Sequence, residues 1–127
     1  MSPWDDIRLA CPLLYRNGIM FECGIGWHDI ILQLSLKIEQ ILQEYAEKQQ
    51  VPEGEEYQII EMFAVQVKEK YGTLRFYMSC ETDTICDLIE DAEALSSQTC
   101  EGCGAPGKMR GKRWFEVKCE ACFSGGK

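Results

Sequence analysis

The chain has 127 residues, of which 27% are charged, and a net charge of −8. This length forms one domain with room for a small appended module. No apolar run approaches the roughly 18 residues that a membrane span needs, which excludes a membrane-spanning protein. The N-terminus lacks the basic and apolar regions of a signal peptide. We therefore expect the eight cysteines to lie in a reducing cytoplasm, and not in a secreted disulfide scaffold.

The charge is divided unevenly along the chain. Residues 1–98 hold 7 Lys and Arg against 18 Asp and Glu, a net −11, whereas residues 99–127 hold 6 against 3, a net +3. The acidic part disfavours broad, unspecific nucleic-acid binding. It suits docking onto a basic protein surface, although negative charge is also a common means of keeping a protein soluble.

The first 23 residues predict an N-terminal arm and a short hairpin, with apolar residues at 13–15 and 19–21 on either side of Asn17-Gly18. Gly24 and Gly26 then precede a helix, and helix N-termini favour anions. The segment lacks the complete glycine pattern of a dinucleotide site and the Lys of a P-loop. The two glycines therefore predict a tight backbone turn that brings Trp27 into the core.

Two amphipathic helices are predicted at about 27–49 and 83–97. Their apolar stripes are Trp27, Ile30, Ile31, Leu34, Ile38, Ile41, Leu42 and Tyr45 in the first, and Ile85, Leu88, Ile89, Ala92 and Leu95 in the second. Glu39 is expected on the wet side of the first helix. In the second helix, Thr84-x-x-Asp87 is a capping signal, and an acidic outer face includes Glu93.

Two strands, at about 58–70 and 73–80, flank Tyr71-Gly72 and form a second hairpin. Pairing Val67 with Phe76 gives a consistent register in which one face is apolar. The residues expected on this core face are Phe63, Val65, Val67, Leu74, Phe76 and Met78.

The opposite face of this hairpin is a candidate ligand site. The register puts Lys68 directly across from Arg75, with Lys70 on the same face, and like charges opposite each other destabilise a sheet. Three cations on an acidic body therefore indicate a place for a phosphate-bearing ligand. Tyr77 and Gln66 lie beside them and are suited to stack on a base or hydrogen-bond to it. The alternative is that neighbouring carboxylates, such as Glu69, neutralise these cations.

Four cysteines near the C-terminus form two C-x2-C pairs, Cys100 with Cys103 and Cys119 with Cys122, separated by fifteen residues. This spacing is typical of a structural zinc site, in which four thiolates surround one ion and leave no open position for water. The alternative is two disulfides or four free thiols. The spacing of the other four, Cys11, Cys23, Cys80 and Cys86, fits no metal template, so buried free thiols are expected of them. The alternative is a second zinc site at which these four meet.

The segment between the two cysteine pairs is basic and aromatic. Its candidate nucleic-acid contacts are Lys108, Arg110, Lys112, Arg113 and Trp114, because basic residues among aromatics bind phosphates and stack on bases. The alternative is a soluble loop around a small aromatic core. His28 is the single histidine, and no arrangement of a nucleophile with a base is evident, so we do not expect an enzyme.

Three motifs resemble those of a family of small phage and prophage proteins of unassigned function. They are Glu22-Cys-Gly-x-Gly-Trp27, Gln66-Val-Lys-Glu-Lys-Tyr-Gly-Thr-Leu-Arg-Phe-Tyr77, and Cys100-Glu-x-Cys-Gly-Ala-Pro-Gly107 with the C-x2-C that follows. The resemblance covers about residues 14–122, and its central motif is the most specific part. It implies a viral accessory protein that acts in the cytoplasm of a bacterial host.

Together these patterns predict an α+β fold, with a small antiparallel sheet packed on two helices in residues 1–98 and a C-terminal four-cysteine zinc ribbon in residues 99–127. The expected function is non-enzymatic counter-defence, either by blocking a host protein through the acidic helical faces or by sequestering a nucleotide signal at an oligomer interface. The alternative is a zinc-ribbon regulator of transcription or nucleic acid. The counter-defence role rests on analogy.

Overall fold

The computed structural model describes residues 2–48, 62–111 and 114–125. The elements in chain order are α1 (Asp5–Ala10), β1 (Phe21–Glu22), α2 (His28–Lys48), β2 (Ala64–Lys70), β3 (Thr73–Met78), α3 (Asp83–Ser96), β4 (Lys108–Arg110), β5 (Glu116–Lys118) and α4 (Glu120–Gly125). The predicted ends of the first helix at residue 49 and of the first long strand at 58–61 fall outside the described residues.

The predicted α+β fold is confirmed. Strands β2 and β3 are antiparallel and pair Val67 with Phe76 and Lys68 with Arg75, as the alternation of the sequence predicts. A second, two-stranded antiparallel sheet of β4 and β5 lies in the C-terminal cysteine-containing part. The short β1 adds a third strand to the larger sheet and runs parallel to β2, which the sequence did not predict.

A β-bulge at the start of β2 changes which of its residues point towards the core. The regular pairing shifts between Ala64 and Gln66, because a bulge inserts one extra residue into a strand. Ala64 is therefore buried, while Val65 is 50% exposed. The prediction that Val65 lies on the core face was wrong, whereas the placement of Val67 there is confirmed.

The core lies between the larger sheet and the helices α2 and α3, whose predicted stripes are largely buried. Two residues depart from the patterns. Glu39 is only 6% exposed, because its carboxylate accepts hydrogen bonds from the backbone N–H groups of Leu13 and Leu14 at 3.1 and 2.8 Å. Leu95 is 56% exposed near the end of α3. The expected wet position of Glu39 was therefore wrong, and so was the buried position of Leu95.

The N-terminal hairpin was also predicted wrongly. Residues 12–17 form turns, and the preceding segment contains α1. Gly18 does form a turn, with φ of +62° and its N–H bonded to the Tyr15 carbonyl. The Leu14 carbonyl accepts from Ala64 N–H at 2.8 Å, so this segment follows the start of β2 instead of pairing with β1.

Side chains of α3 cover the outer edge of β3. Ser96 Oγ accepts from Leu74 N–H at 2.9 Å, and Glu93 accepts from Phe76 N–H at 3.1 Å. These bonds satisfy edge donors that would otherwise pair with another strand. Glu93 therefore has a structural partner and is not only part of an acidic outer face. The N-cap of α3 is Thr82, which accepts from Ile85 N–H, and not the predicted Thr84.

Candidate metal centre and cationic sheet face

The four predicted cysteines converge on one point. The four sulfur atoms all lie within 4.8 Å of one another, and the Sγ atoms of Cys103 and Cys119 are 3.6 Å apart. A tetrahedron with metal–sulfur bonds of about 2.3 Å has sulfur–sulfur edges of about 3.8 Å, whereas a disulfide bond is about 2.05 Å long. All eight cysteines are free thiols. The group can therefore hold one metal ion through four sulfur ligands.

Local electrostatics favour a thiolate at Cys100, whereas hydrogen bonds with Cys103, Cys119 and Cys100 raise the pKa of Cys122 to about 12. Burial opposes ionisation of Cys100, yet backbone N–H donors from Cys119, Cys103 and Gly102 lower the pKa of its thiol to about 6. A Cβ on Gly102 would lie 3.3 Å from both Cys122 Sγ and Lys118 Nζ, so the Lys118 ammonium lies beside the sulfurs. Its positive charge offsets part of the net charge of −2 that four thiolates and a divalent ion carry.

The first glycine motif packs directly against this metal centre. The N–H of Gly26 donates to the Glu101 carbonyl at 2.7 Å, and the N–H of Gly24 donates to the Glu101 carboxylate at 2.7 Å. A Cβ on Gly26 would lie 2.2 Å from the Cys100 carbonyl oxygen. The glycines therefore allow two backbones to approach closely. The tight turn predicted from the sequence is present as a 3₁₀ turn over Ile25–Trp27, and Trp27 is buried as expected.

Trp27 adds a second connection, since its indole Nε1 donates to the Thr99 carbonyl at 2.9 Å. Burial raises the pKa of Glu101, an effect that the Gly24 N–H partly offsets. The C-terminal cysteine-containing part is thus hydrogen-bonded to the start of α2 by both backbone and side chains. The proposed boundary between residues 98 and 99 stays a prediction.

The hairpin turn between β2 and β3 contacts the same C-terminal part from another side. Tyr71 and Gly72 both have positive φ, at +54° and +88°. A Cβ on Gly72 would lie 2.5 Å from Met109 Sδ and 3.2 Å from Glu116 N. This close approach places the turn against β4 and β5, so the ribbon sheet lies at the end of the hairpin.

The predicted cationic residues share one face of the sheet. Lys68 is directly opposite Arg75, and Gln66 is directly opposite Tyr77, while Lys70 lies two residues further along β2. Lys68 and Arg75 are partly exposed, and Tyr77 is 41% exposed. The structure thus places all five predicted ligand residues on the face that points away from the core.

The carboxylates expected to neutralise these cations have other partners. Glu69 points to the opposite face and accepts from Gly72 N–H at 2.7 Å, and Glu93 bonds to β3 as described above. Glu22 of β1 is the acidic residue paired with Lys68 in the sheet. Among the described residues, the ion pairs join Arg8 to Asp5 and His28 to Asp6, and none includes Lys68, Lys70 or Arg75.

The candidate nucleic-acid residues are only partly available. Lys108 is exposed, and Trp114 is 76% exposed. Arg110 has a structural role instead, because its Nε donates to the Lys118 carbonyl at 2.8 Å and its guanidinium lies over the Phe123 ring. Lys112 and Arg113 lie outside the described residues.

A pocket that sequence reasoning missed lies where the hairpin turn meets the ribbon. It has a volume of about 300 Å³ and is lined by Glu69, Lys70, Tyr71, Trp114 and Phe115. Tyr71 was read only as part of a turn, and Trp114 only as a candidate nucleic-acid contact of the segment between the cysteine pairs. The sequence shows an aromatic residue at each of the two positions, but no local pattern indicates that they are neighbours in the fold.

The other sites considered hold no further cluster among the described residues. Of the four other cysteines expected to be buried, Cys11 is buried, whereas Cys23, Cys80 and Cys86 are half-buried. Burial raises the pKa of Cys11 and of Cys23 to about 12. Within the described ranges, a metal-binding group forms only from the four C-terminal cysteines. His28 stacks on Trp4 and contacts Asp6 at 2.9 Å, a structural position at the start of α2.

Comparison with family models, with curated proteins and with solved structures finds no match to this chain. None of the helices in the described ranges combines the length and apolarity that a bilayer crossing requires.

Proposed function

We propose that this protein is a non-enzymatic, zinc-stabilised binding protein that captures a phosphate-bearing nucleotide on the cationic sheet face. The observation that supports the proposal is the direct opposition of Lys68 and Arg75, with Lys70 beside them and no ion pair to any of the three among the described residues. Two like charges across a strand pair destabilise a sheet. A bound phosphate reverses this effect, because it accepts from both.

Each residue of this face has a chemical role in the proposed complex. The planar guanidinium of Arg75 presents two parallel donors to phosphate oxygens, while Lys68 and Lys70 contribute point charges. Tyr77 and Gln66 lie opposite each other and form the next pair on the same face of the sheet. Their ring and amide are available for stacking and for hydrogen bonds to the ligand.

The metal has a structural role in this proposal. Zinc is the ion that four thiolates in a tetrahedral arrangement typically bind, although iron–sulfur centres use the same ligands. Four protein ligands leave no coordination position for a substrate. The zinc would fix the cysteine-containing segment against α2 and against the hairpin turn, which is why we infer that it stabilises the ligand face.

In its biological setting, the protein would act as a phage-type accessory in the bacterial cytoplasm and would counter host defence by sequestering a nucleotide signal. Support for this setting comes from the resemblance of the three sequence motifs. A host protein blocked by the acidic faces of the helices is the competing target. A ligand held between two copies of the chain would make the active form an oligomer.

Isothermal titration with nucleoside triphosphates and cyclic dinucleotides tests the capture of nucleotides. We expect Arg75→Glu to reduce the affinity for the tightest-binding of these nucleotides by at least tenfold, since a charged hydrogen bond contributes about 1.5–3 kcal/mol. Lys108→Glu is the matched control, because it makes the same change of charge on the exposed ribbon surface. Equal losses from the two substitutions would mean that net charge alone drives binding, and the proposal would fail.

The second candidate function is nucleic-acid binding by the ribbon. The observation that favours it is the exposure of Trp114, together with the exposed Lys108. Here Lys108→Glu would weaken binding to single-stranded DNA or RNA, and Arg75→Glu would not. A shift in electrophoretic mobility with short oligonucleotides, measured at two salt concentrations, distinguishes this candidate from nucleotide capture.

A further inference from the structure

We infer that the pocket between the hairpin turn and the ribbon binds the base of the captured nucleotide, stacked against the rings of Tyr71, Trp114 and Phe115. The inference extends the proposed function, since the phosphate would lie on the neighbouring cationic face. None of these three aromatic residues belongs to that face, so the inference assigns base stacking to the pocket instead of to Tyr77.

Size and lining support this assignment. The pocket volume of about 300 Å³ is at the lower end of the range for small-molecule sites, which suits one planar ring system. Tyr71 is 72% exposed, Trp114 76% and Phe115 41%. Three exposed aromatic rings around one concave site are typical of surfaces on which nucleic-acid bases stack.

Aromatic pockets also bind cations, but the lining of this pocket holds one cation, Lys70, and one carboxylate, Glu69, so its formal charges sum to zero and suit a neutral base. Lys70 Nζ already lies 5.7 Å from the centre of the Tyr71 ring. A second cation would be repelled by this ammonium. The carboxylate of Glu69 accepts from Gly72 N–H and supports the turn that carries Tyr71.

Lys70 connects the pocket to the cationic face. Lys70 lies on the same side of β2 as Lys68. Successive residues on one face of a strand are about 6.7 Å apart. The same side chain lines the pocket. A nucleotide with its base in the pocket would therefore have its phosphate near Lys70 and within reach of the Lys68–Arg75 pair.

The pocket also depends on the ribbon, which supplies Trp114 and Phe115. The hairpin turn contacts the ribbon at Gly72, where a Cβ would lie 2.5 Å from Met109 Sδ. The metal ligands Cys103 and Cys119 bring together the two ends of the segment that carries these aromatic rings. Metal loading is therefore expected to be a condition for base binding.

Tryptophan fluorescence of the metal-loaded protein tests the inference, because Trp4 and Trp27 are buried while Trp114 is exposed. Wild type is titrated with ATP, GTP, CTP and UTP, with inorganic tripolyphosphate as a probe without a base. We expect at least one nucleotide to change the emission and to bind more tightly than tripolyphosphate by about 5- to 140-fold, the equivalent of stacking one base.

Two variants separate the base from the phosphate, with affinities measured by isothermal titration. Trp114→Ala should reduce nucleotide affinity to that of tripolyphosphate and leave tripolyphosphate affinity unchanged. Tyr71→Asn should also reduce nucleotide affinity, and Asn tolerates the positive φ at this position. Circular dichroism spectra and metal content equal to those of wild type show that each variant is folded.

The outcomes distinguish this inference from the proposed function. If nucleotides and tripolyphosphate bind equally and Trp114→Ala changes neither, the base pocket is refuted while phosphate capture stands. If Trp114→Ala lowers the affinity for nucleotides but Arg75→Glu does not, the pocket stands and the cationic face is refuted. Failure of all four nucleotides, of tripolyphosphate and of the cyclic dinucleotides to bind overturns both.

Discussion

The contact between Gly26 and the metal centre gives the sharpest stability prediction. In Gly26→Ala, the added Cβ would lie 2.2 Å from the Cys100 carbonyl oxygen and 2.5 Å from the Glu101 carbonyl. Both are backbone atoms that cannot rotate away. Overpacking costs about 1–3 kcal/mol, and loss of the bond from Gly26 N–H adds about 0.5–1.5 kcal/mol. We expect the free energy of unfolding to fall by about 2–4 kcal/mol.

Urea unfolding followed by circular dichroism measures this change. The midpoint should decrease by about 1–2 M at a slope of about 2 kcal/mol/M, which is the middle of the range for small proteins. Gly18→Asn is the control, since a Cβ there meets nothing within 4 Å and Asn tolerates its positive φ. A Gly26→Ala protein as stable as wild type would refute the close packing of the two backbones.

Four further results are expected. Glu39→Ala should lower the free energy of unfolding by about 2–4 kcal/mol in urea unfolding, because it leaves two backbone N–H groups unpaired, and Glu39→Gln should lose less. Thr82→Ala should lower it by about 0.5–2 kcal/mol through loss of the N-cap. A chelator should lower the melting temperature of wild type but not that of Cys100→Ser, as differential scanning calorimetry would measure. Because burial raises the pKa of Cys11 from 9.0 to about 12, the folded state keeps a proton that the unfolded state loses. Stability is therefore full below pH 9 and decreases up to about pH 12, and Cys11→Ala should reduce that slope.

Local sequence patterns were sufficient to predict most of the helices and strands and the four candidate metal ligands. The alternation of apolar residues on either side of Tyr71-Gly72 fixed the register of β2 and β3, because a one-residue slip would have exposed Val67 and Phe76. The two C-x2-C pairs specified four ligands, since each pair places two sulfurs on one ion. Each of these predictions depends only on contacts within one hairpin or on the known spacing of metal ligands along the chain.

The errors arose where residues distant in the chain meet. Glu39 is buried because Leu13 and Leu14 bring two unpaired N–H groups to it, which helical periodicity does not reveal. β1 joins the sheet beside Val67 through a pairing of residues more than forty positions apart. The glycine motif was read only as a turn, because only the folded structure places Cys100 against Gly26.

The same reason explains why half of the proposed ligand site was missed. The cationic face lies within one hairpin and follows from its register. The pocket is formed by Tyr71 and Trp114, which come from separate elements and meet only after the ribbon packs on the hairpin turn. A site built across two elements requires their relative placement, and neither periodicity nor spacing supplies it.

Native mass spectrometry of the protein purified from bacteria tests the central claim most directly. The account predicts one zinc ion per chain and an additional nucleotide-sized mass, which Arg75→Glu removes while the zinc remains. The contrary result is one zinc and no added mass in both wild type and Arg75→Glu, even after incubation with nucleotides. It would contradict nucleotide capture and direct the search to a protein partner.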